Sequence, residues 1–456
     1  MSHAPIGHAL IGHAVTGQAP IGRHGLIERV TGDDLMSLVS RRHPPPAQVG
    51  AVLILDVRDG LDVACLRTIL RQRIAGIPRL RQRLEKVPLG CGRPIWLDDP
   101  DFNLNNHLTV ATGQVVIDDA GLWDIAAGLV TKPLPDDRPL WSATCVPHLT
   151  GGRAALILVM HHVVGDGLAG LAVLAGLLDG LPLPTASPFP RARPTRAQLA
   201  RAALVDHSRS LRQLPKQIIR LLAGVDQLRP SLAHRAQQCS LNRPTGPRRQ
   251  VRPVVVDVKR LRALAHSRNA TVNDLVLTAV TGALRELLSN RGEHLETLVV
   301  SVPFASRKRS GPVELGNQSG VIPVALPAGG SFPDRLSAVA KIMRVAKEYE
   351  RGASTAVLGP VFRLLARIGL YQYFIDHQPL VHTFVSDLRG PEAPLRLLGC
   401  HVLDVVPLSV ATGNVTVSFT ALSYAHRLVI TVTSDPETCP DVDQLCQALE
   451  SQLAGS

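Results

Sequence analysis

The residues best suited to do chemistry are two adjacent histidines followed closely by an aspartate between glycines, His161-His162-Val163-Val164-Gly165-Asp166-Gly167. An imidazole can take up and return a proton near neutral pH, which makes either ring a candidate general base. Two His and an Asp could also ligate zinc. If the pair keeps strand geometry, however, the two rings point to opposite faces and reach one metal poorly, so no metal site is expected. A purely structural histidine pair is the remaining reading.

The elements around this string decide how it is held. The apolar run 154–160 reads as a strand, and GLAGLAVLAGLLDG at 167–180 reads as a helix, which puts the histidines at a strand-to-helix junction. Such junctions expose side chains on a loop while rigid elements hold it. VGAVLILDV at 49–57 adds another β-rich run, and residues 27–185 together read as an α/β domain. The Pro-rich passage 181–194 breaks both periods, and residues 186–250 read as a basic helical linker. There Leu204, Leu211, Ile218 and Val225 recur every seven residues as an apolar stripe flanked by Arg, suited to docking on the protein itself or on a membrane surface. A second α/β domain spans 251–456, with strands at 251–258, 414–422 and 427–434, the last two forming a hairpin. It also holds a helix from Val272, opened by Thr271 with Asp274 three residues on, and ends in a short helix. The Gly- and His-rich residues 1–26 carry no period and read as a disordered tail.

Composition narrows the function classes. The chain has 456 residues and a net charge of +12, and residues 191–250 hold 13 basic residues against the acids Asp206 and Asp226. Such a segment suits an anionic membrane surface or a phosphorylated ligand. At 3% aromatic residues, base stacking is not expected, and nucleic acid is not a predicted partner. Seven cysteines without a CxxC pair argue against a disulfide framework or zinc ribbon and for a reducing, cytoplasmic setting. No run reaches the roughly 18–20 apolar residues of a membrane span, so any membrane contact is expected to be peripheral.

HHxxxDG is the signature of the CoA-dependent acyltransferase superfamily, and the stretch from about Ile27 to Leu453 resembles the bacterial wax ester synthase/diacylglycerol acyltransferase family. The resemblance rests on landmarks in order: Pro78-Arg79-Leu80-Arg81-Gln82-Arg83-Leu84, Asp99-Pro100-Asp101-Phe102-Asn103-Leu104 and Arg138-Pro139-Leu140-Trp141. Asn273-Asp274, Val302-Pro303 with Arg307, and Gly316-Asn317 continue it. Two stretches depart from the family pattern. Ser386-Asp387-Leu388-Arg389-Gly390-Pro391 stands where Ser-Asn-Val-Pro-Gly-Pro is usual, and His426 stands where Gly is common.

The resemblance implies two chloramphenicol-acetyltransferase-like lobes with mixed sheets and a substrate tunnel between them. It implies direct transfer of an acyl group from acyl-CoA to diacylglycerol, a long-chain alcohol, or both, with acyl-CoA as substrate and no cofactor. By resemblance His162 is the general base, His161 orients the loop, and Asp166 is structural and paired with an Arg. Gly167 permits a tight turn and close approach of ligand. Ser386 is the candidate oxyanion donor, and Asn273 and Asp274 are candidates to shape the channel, Asp274 being equally readable as a helix start. The setting implied is the cytoplasmic face of the inner membrane or a lipid-droplet surface. Alternatives are a condensation or ester-forming enzyme fed by a carrier protein, which shares HHxxxDG, and a non-catalytic lipid-binding homologue.

Overall fold

A computed structural model describes residues 27–31, 34–35, 38, 45–111, 115–180, 188–212, 235–305, 319–349, 362, 364–365, 368–409 and 411–455. The first half forms β1 (Gln48–Asp56), α1 (Val63–Ile74), β2 (Gln82–Glu85), β3 (Ile95–Asp98), β4 (Leu108–Val110), α2 (Asp119–Thr131), β5 (Trp141–Leu149), β6 (Arg153–His161) and α3 (Gly167–Leu177). The second forms β7 (Gln250–Asp257), α4 (Val258–Ser267), α5 (Val272–Asn290), β8 (Thr297–Ala305), β9 (Ser319–Pro327), α6 (Phe332–Tyr349), α7 (Tyr371–Asp376) and β10 (Thr383–Arg389). It closes with β11 (Arg396–Leu397), β12 (Cys400–Leu408), β13 (Val417–Tyr424), β14 (Arg427–Ser434) and α8 (Val442–Ala454).

Two six-stranded mixed sheets result, in the orders β11-β12-β1-β6-β5-β4 and β7-β14-β13-β10-β8-β9. β6 carries the unbroken apolar run ALILVM because both its faces are covered. Leu156, Leu158 and Met160 join one core, with Leu66, Leu70 and Val173 of α1 and α3. Ala155, Ile157 and Val159 join the other, with Leu122, Ala126 and Val130 of α2. In the second lobe α5 is the central helix, and nearly every residue from Leu275 to Leu288 is buried. Its start is the predicted capping box, in which the Thr271 N–H donates to Asp274 Oδ2 (2.8 Å) and the Asp274 N–H to Thr271 Oγ1 (3.2 Å).

The division in chain order at residue 251 needs one correction. β11 and β12, from the second half, belong to the first sheet, with β12 antiparallel to β1 along Gly50–Leu55. The crossover is tied on its return by Tyr424, whose hydroxyl donates to the Val402 carbonyl (2.9 Å) and accepts from the Leu395 N–H (2.7 Å). Arg427 of β14 pairs with Asp404 of β12 at 3.1 Å. The lobes are therefore stitched by backbone pairing as well as by side-chain packing.

Residues 196–212 are helical, in line with the sequence, but the predicted stripe is not what docks them. Leu199 and Ala203 are buried, and Leu199 packs with Cys91 and Ile95, whereas Leu204 and Leu211 are 71% and 67% exposed. The tail 1–26 and the later stripe residues Ile218 and Val225 lie outside the described residues.

Candidate active site

Backbone bonds from three elements hold the histidine pair. The His161 N–H donates to the Leu140 carbonyl just before β5 (2.9 Å), and the His162 N–H to the Ala47 carbonyl just before β1 (2.9 Å). Gln48 pairs with His161 across β1 and β6. β6 ends at His161, and His162 is the first residue of the turn that follows. His161 is 1% exposed, and its Nδ1 accepts from the Val163 N–H (3.1 Å), which locks its ring to the loop. His162 is half-buried. Its Nδ1 is sealed from solvent without a hydrogen-bond partner among the described residues, which leaves Nε2 as the nitrogen that can meet a substrate.

Asp166 is the N-cap of α3, its Oδ1 accepting from the Ala169 N–H (3.1 Å). A capping carboxylate at a helix N-terminus satisfies an otherwise orphaned donor and complements the helix dipole. It therefore fixes where α3 starts relative to His162. Gly167 differs from expectation. Its φ is not in the left-handed region, so no tight turn demands glycine. The position is instead tight against the other lobe, where a Cβ would lie 3.0 Å from both Cδ atoms of Leu388 on β10.

That contact brings the Ser386–Arg389 stretch to the HHxxxDG loop. Alternation along β10 puts Ser386 on the same face as Leu388, toward the first lobe, and Asp387 on the opposite face with Val385, which belongs to the helical core of the second lobe. The Asp387 side chain is accessible to solvent yet has enough protein around it to be desolvated. Burial pushes its carboxyl up to about 6, opposed by the Lys347 ammonium. Asn273 is half-buried in the first turn of α5. Asp274 is spent on the capping box through Oδ2, so its helix-start reading is the one the geometry carries; its Oδ1 is buried and without a partner among the described residues.

The other first-half landmarks pack around Trp141 and Trp96. The Trp141 indole N–H donates to the Leu80 carbonyl (2.8 Å), and its ring stacks on His107, which stacks on Phe102 (centroids 4.5 and 5.3 Å apart). Arg79 is buried over Trp96 with its guanidinium on Glu28. These residues brace the start of β5, and thereby the carbonyl that holds His161. Val302 and Pro303 lie on β8, while Arg307, Gly316 and Asn317 fall outside the described residues. The sequence singled out neither Leu388 as the partner of Gly167 nor Asp387 as a perturbed acid. The one signal available was that both stand where the family pattern is broken.

No helix among the described residues is long and apolar enough to cross a membrane, and no group of three His, Cys, Asp or Glu there could hold a metal ion.

Solved structures share this two-lobed α/β fold with mixed sheets. A wax ester synthase/diacylglycerol acyltransferase from Marinobacter aquaeolei VT8 superposes with a TM-score of 0.66 at 21% identity, covering 93% of this chain and 98% of that one. The first condensation domain of the CDA synthetase gives 0.65 at 18% identity, covering 94% and 97%. The chain belongs to the wax ester synthase/diacylglycerol acyltransferase family: its catalytic domain matches residues 31–276, and its C-terminal domain matches residues 315–455. A Mycobacterium tuberculosis protein named as a diacylglycerol O-acyltransferase is 27% identical over 425 residues, covering 89% of this chain and 90% of that protein.

Proposed function

We propose that this protein transfers an acyl group directly from acyl-CoA to the hydroxyl of diacylglycerol or a long-chain alcohol, with His162 as general base. Nε2 of His162 takes the hydroxyl proton as the oxygen attacks the thioester carbonyl. The tetrahedral intermediate collapses, its C–S bond breaks, and the imidazolium returns the proton to the CoA sulfur, giving ester and free thiol. No covalent acyl-enzyme and no cofactor enter this sequence.

The observation that carries the reading is the state of the two rings. His161 is buried and hydrogen-bonded into the loop, while His162 keeps one nitrogen open beside the contact between lobes. The Ser386 hydroxyl, on the face of β10 that meets Gly167, supplies a hydrogen bond to the oxyanion. Asp166 serves by placing α3, and Asn273 by lining the channel from the second lobe. A tunnel between the lobes admits CoA at one end and the acceptor at the other.

Access to a lipid acceptor comes from peripheral attachment to the cytoplasmic face of a membrane or to a lipid droplet. Exposed Leu204 and Leu211, interleaved with exposed Arg201, Arg209 and Arg212, make a surface suited to anionic lipid.

The test is turnover of labelled palmitoyl-CoA with dioleoylglycerol or hexadecanol, following thiol release and neutral-lipid product. Loss of a general base typically costs about 10²–10⁴-fold, so His162→Ala should lose that much while keeping the thermal transition of the wild type. Undiminished turnover in the variant would remove His162 from the mechanism. Its product, ester of diacylglycerol or of alcohol, names the acceptor.

A further inference from the structure

In the second lobe, residues of α5, α6 and α8 line an open pocket of about 280 Å³, with Gly282, Arg285, Glu286, Ser289, Arg335 and Gln452 on its walls beside Ala328. Its buried charge is Arg335. The residue is 6% exposed, and its guanidinium donates to the Gly330 carbonyl (2.9 Å) and to the Gln452 side-chain oxygen, both neutral. Its Nε is buried without a partner, and the Phe332 ring lies 5.7 Å away. Among the described residues it has no carboxylate partner. Of the other buried arginines, Arg79 sits on Glu28 and Arg249 on Asp435, while Arg81, like Arg335, donates to a neutral carbonyl, that of Ala75.

Burying a guanidinium without a counter-charge is costly, and a second cation beside it raises the cost. Burial, followed by repulsion from Arg285, holds the Arg335 guanidinium below its ordinary range, so the charged group it feels most is another arginine. Arg285 itself has a weak tie, a 3.4 Å contact to the well-exposed Glu296. Glycine at 282 keeps the pocket open, since a Cβ there would lie 2.5 Å from both Arg335 Nη2 and the Gln452 oxygen.

We propose that this pocket is an anion site that takes a phosphoryl group, inorganic phosphate or the headgroup of a phosphate monoester, between the guanidiniums of Arg335 and Arg285. Two forks with spare donors match a dianionic oxygen cluster. The volume lies just below the ~300–1,000 Å³ usual for drug-sized ligands, which suits a phosphate or a small headgroup rather than a whole acyl-CoA. The occupant would supply the missing counter-charge and clamp α5, α6 and α8 together.

The full chain is titrated with inorganic phosphate at constant ionic strength, chloride being the balancing anion, and followed by calorimetry and by thermal unfolding. Phosphate should raise the unfolding temperature of the wild type. Arg285→Gln, a change at a partly exposed side chain that the fold tolerates, should weaken binding about tenfold or more, the worth of a charge-assisted hydrogen bond. Gly282→Ala should abolish it by filling the pocket. A parallel flotation assay compares phosphatidic acid/phosphatidylcholine vesicles with phosphatidylcholine alone. Extra binding to the former that Arg285→Gln removes would identify a lipid headgroup as the source, and a response to inorganic phosphate alone would identify a soluble one. The proposal is overturned if phosphate does no more than chloride, or if both variants bind it as well as the wild type does.

Discussion

Strands β1, β6, β5 and β4 of the first sheet and β7, β14, β13 and β10 of the second are paired in the same order and sense: antiparallel, antiparallel, then parallel. The two corners where the long hairpin strand ends are chemically opposite. β6 ends in His161-His162, with one ring nitrogen of His162 left open. β14 ends in Ser434-Asp435, and Asp435 is closed off: it accepts from the Gly246 N–H (2.6 Å) and the Glu437 N–H (2.8 Å) and faces Arg249 at 3.8 Å, with both side chains buried. Buried polar groups normally find partners, so the closed corner is what folding alone produces. The same scaffold leaves an imidazole nitrogen open in one lobe and closes its counterpart off in the other.

The largest effect should come from exchanging those fates. Asp435→Ala leaves the buried Arg249 guanidinium without its counter-charge, a loss of about 3–5 kcal/mol in stability, read from urea denaturation. Its folded fraction should turn over substrate at the wild-type rate, the reverse of His162→Ala. A cost below about 1 kcal/mol, or lost turnover in folded Asp435→Ala, would mean that the corners do not divide the work in this way.

How much of this was legible depends on how local each feature is. The strand-to-helix junction at 161–167, the β13–β14 hairpin and the capping box at Thr271 and Asp274 are set by neighbours within a few residues, so period and cap chemistry were enough. The insertion of β12 beside β1 joins residues about 350 apart and has no local signal. The same holds for Leu388 against Gly167, where the sequence suggested a turn and the structure shows a contact between lobes. In the 196–212 helix the predicted stripe residues Leu204 and Leu211 are exposed and the docked residues are Leu199 and Ala203, because which face meets the core depends on where Cys91 and Ile95 lie.

The contact between lobes gives the next test. Gly167→Ala puts a methyl 3.0 Å from both Leu388 methyls, and overpacking of this kind costs about 1–3 kcal/mol. The first turn of α3 should shift with it, so turnover should fall together with stability. Adding Leu388→Ala should restore both if the contact is what glycine serves. A double variant no better than Gly167→Ala would return the glycine to a role toward substrate.

Asp387 contrasts with Asp435 as a solvent-accessible acid, desolvated by the protein around it, without an ion pair among the described residues. Its carboxyl is raised from 3.8 to about 6 by burial, so the folded state holds the proton more tightly than the unfolded chain does. Its charge therefore costs nothing below about pH 4, destabilises increasingly as pH rises through that window, and reaches its full cost above about 6. Asp387→Asn should be more stable than the wild type at pH 7.5, and the gap should close toward pH 4, by denaturant midpoints at the two values. A gap that is independent of pH would rule out the carboxyl as its origin.

The smallest effect lies at the turn of the second hairpin, where Tyr424 pairs with Arg427 across the two-residue turn Ala425-His426. Both turn residues have positive φ, 43° and 73°, the geometry of a type I′ turn, which favours Asn-Gly or Gly-Gly. A side chain in the left-handed region costs roughly 1–2 kcal/mol, less for His than for bulkier residues. Glycine relieves that strain but gives back about 0.4–1 kcal/mol through the freedom it adds to the unfolded chain. His426→Gly should therefore stabilise by about 0.5 kcal/mol, seen as a small rise in urea midpoint, and the His426 carbonyl should keep the Val258 N–H bond (2.9 Å) that starts α4. A fall in midpoint would mean that the His426 side chain makes a contribution of its own at the seam between β14 and α4.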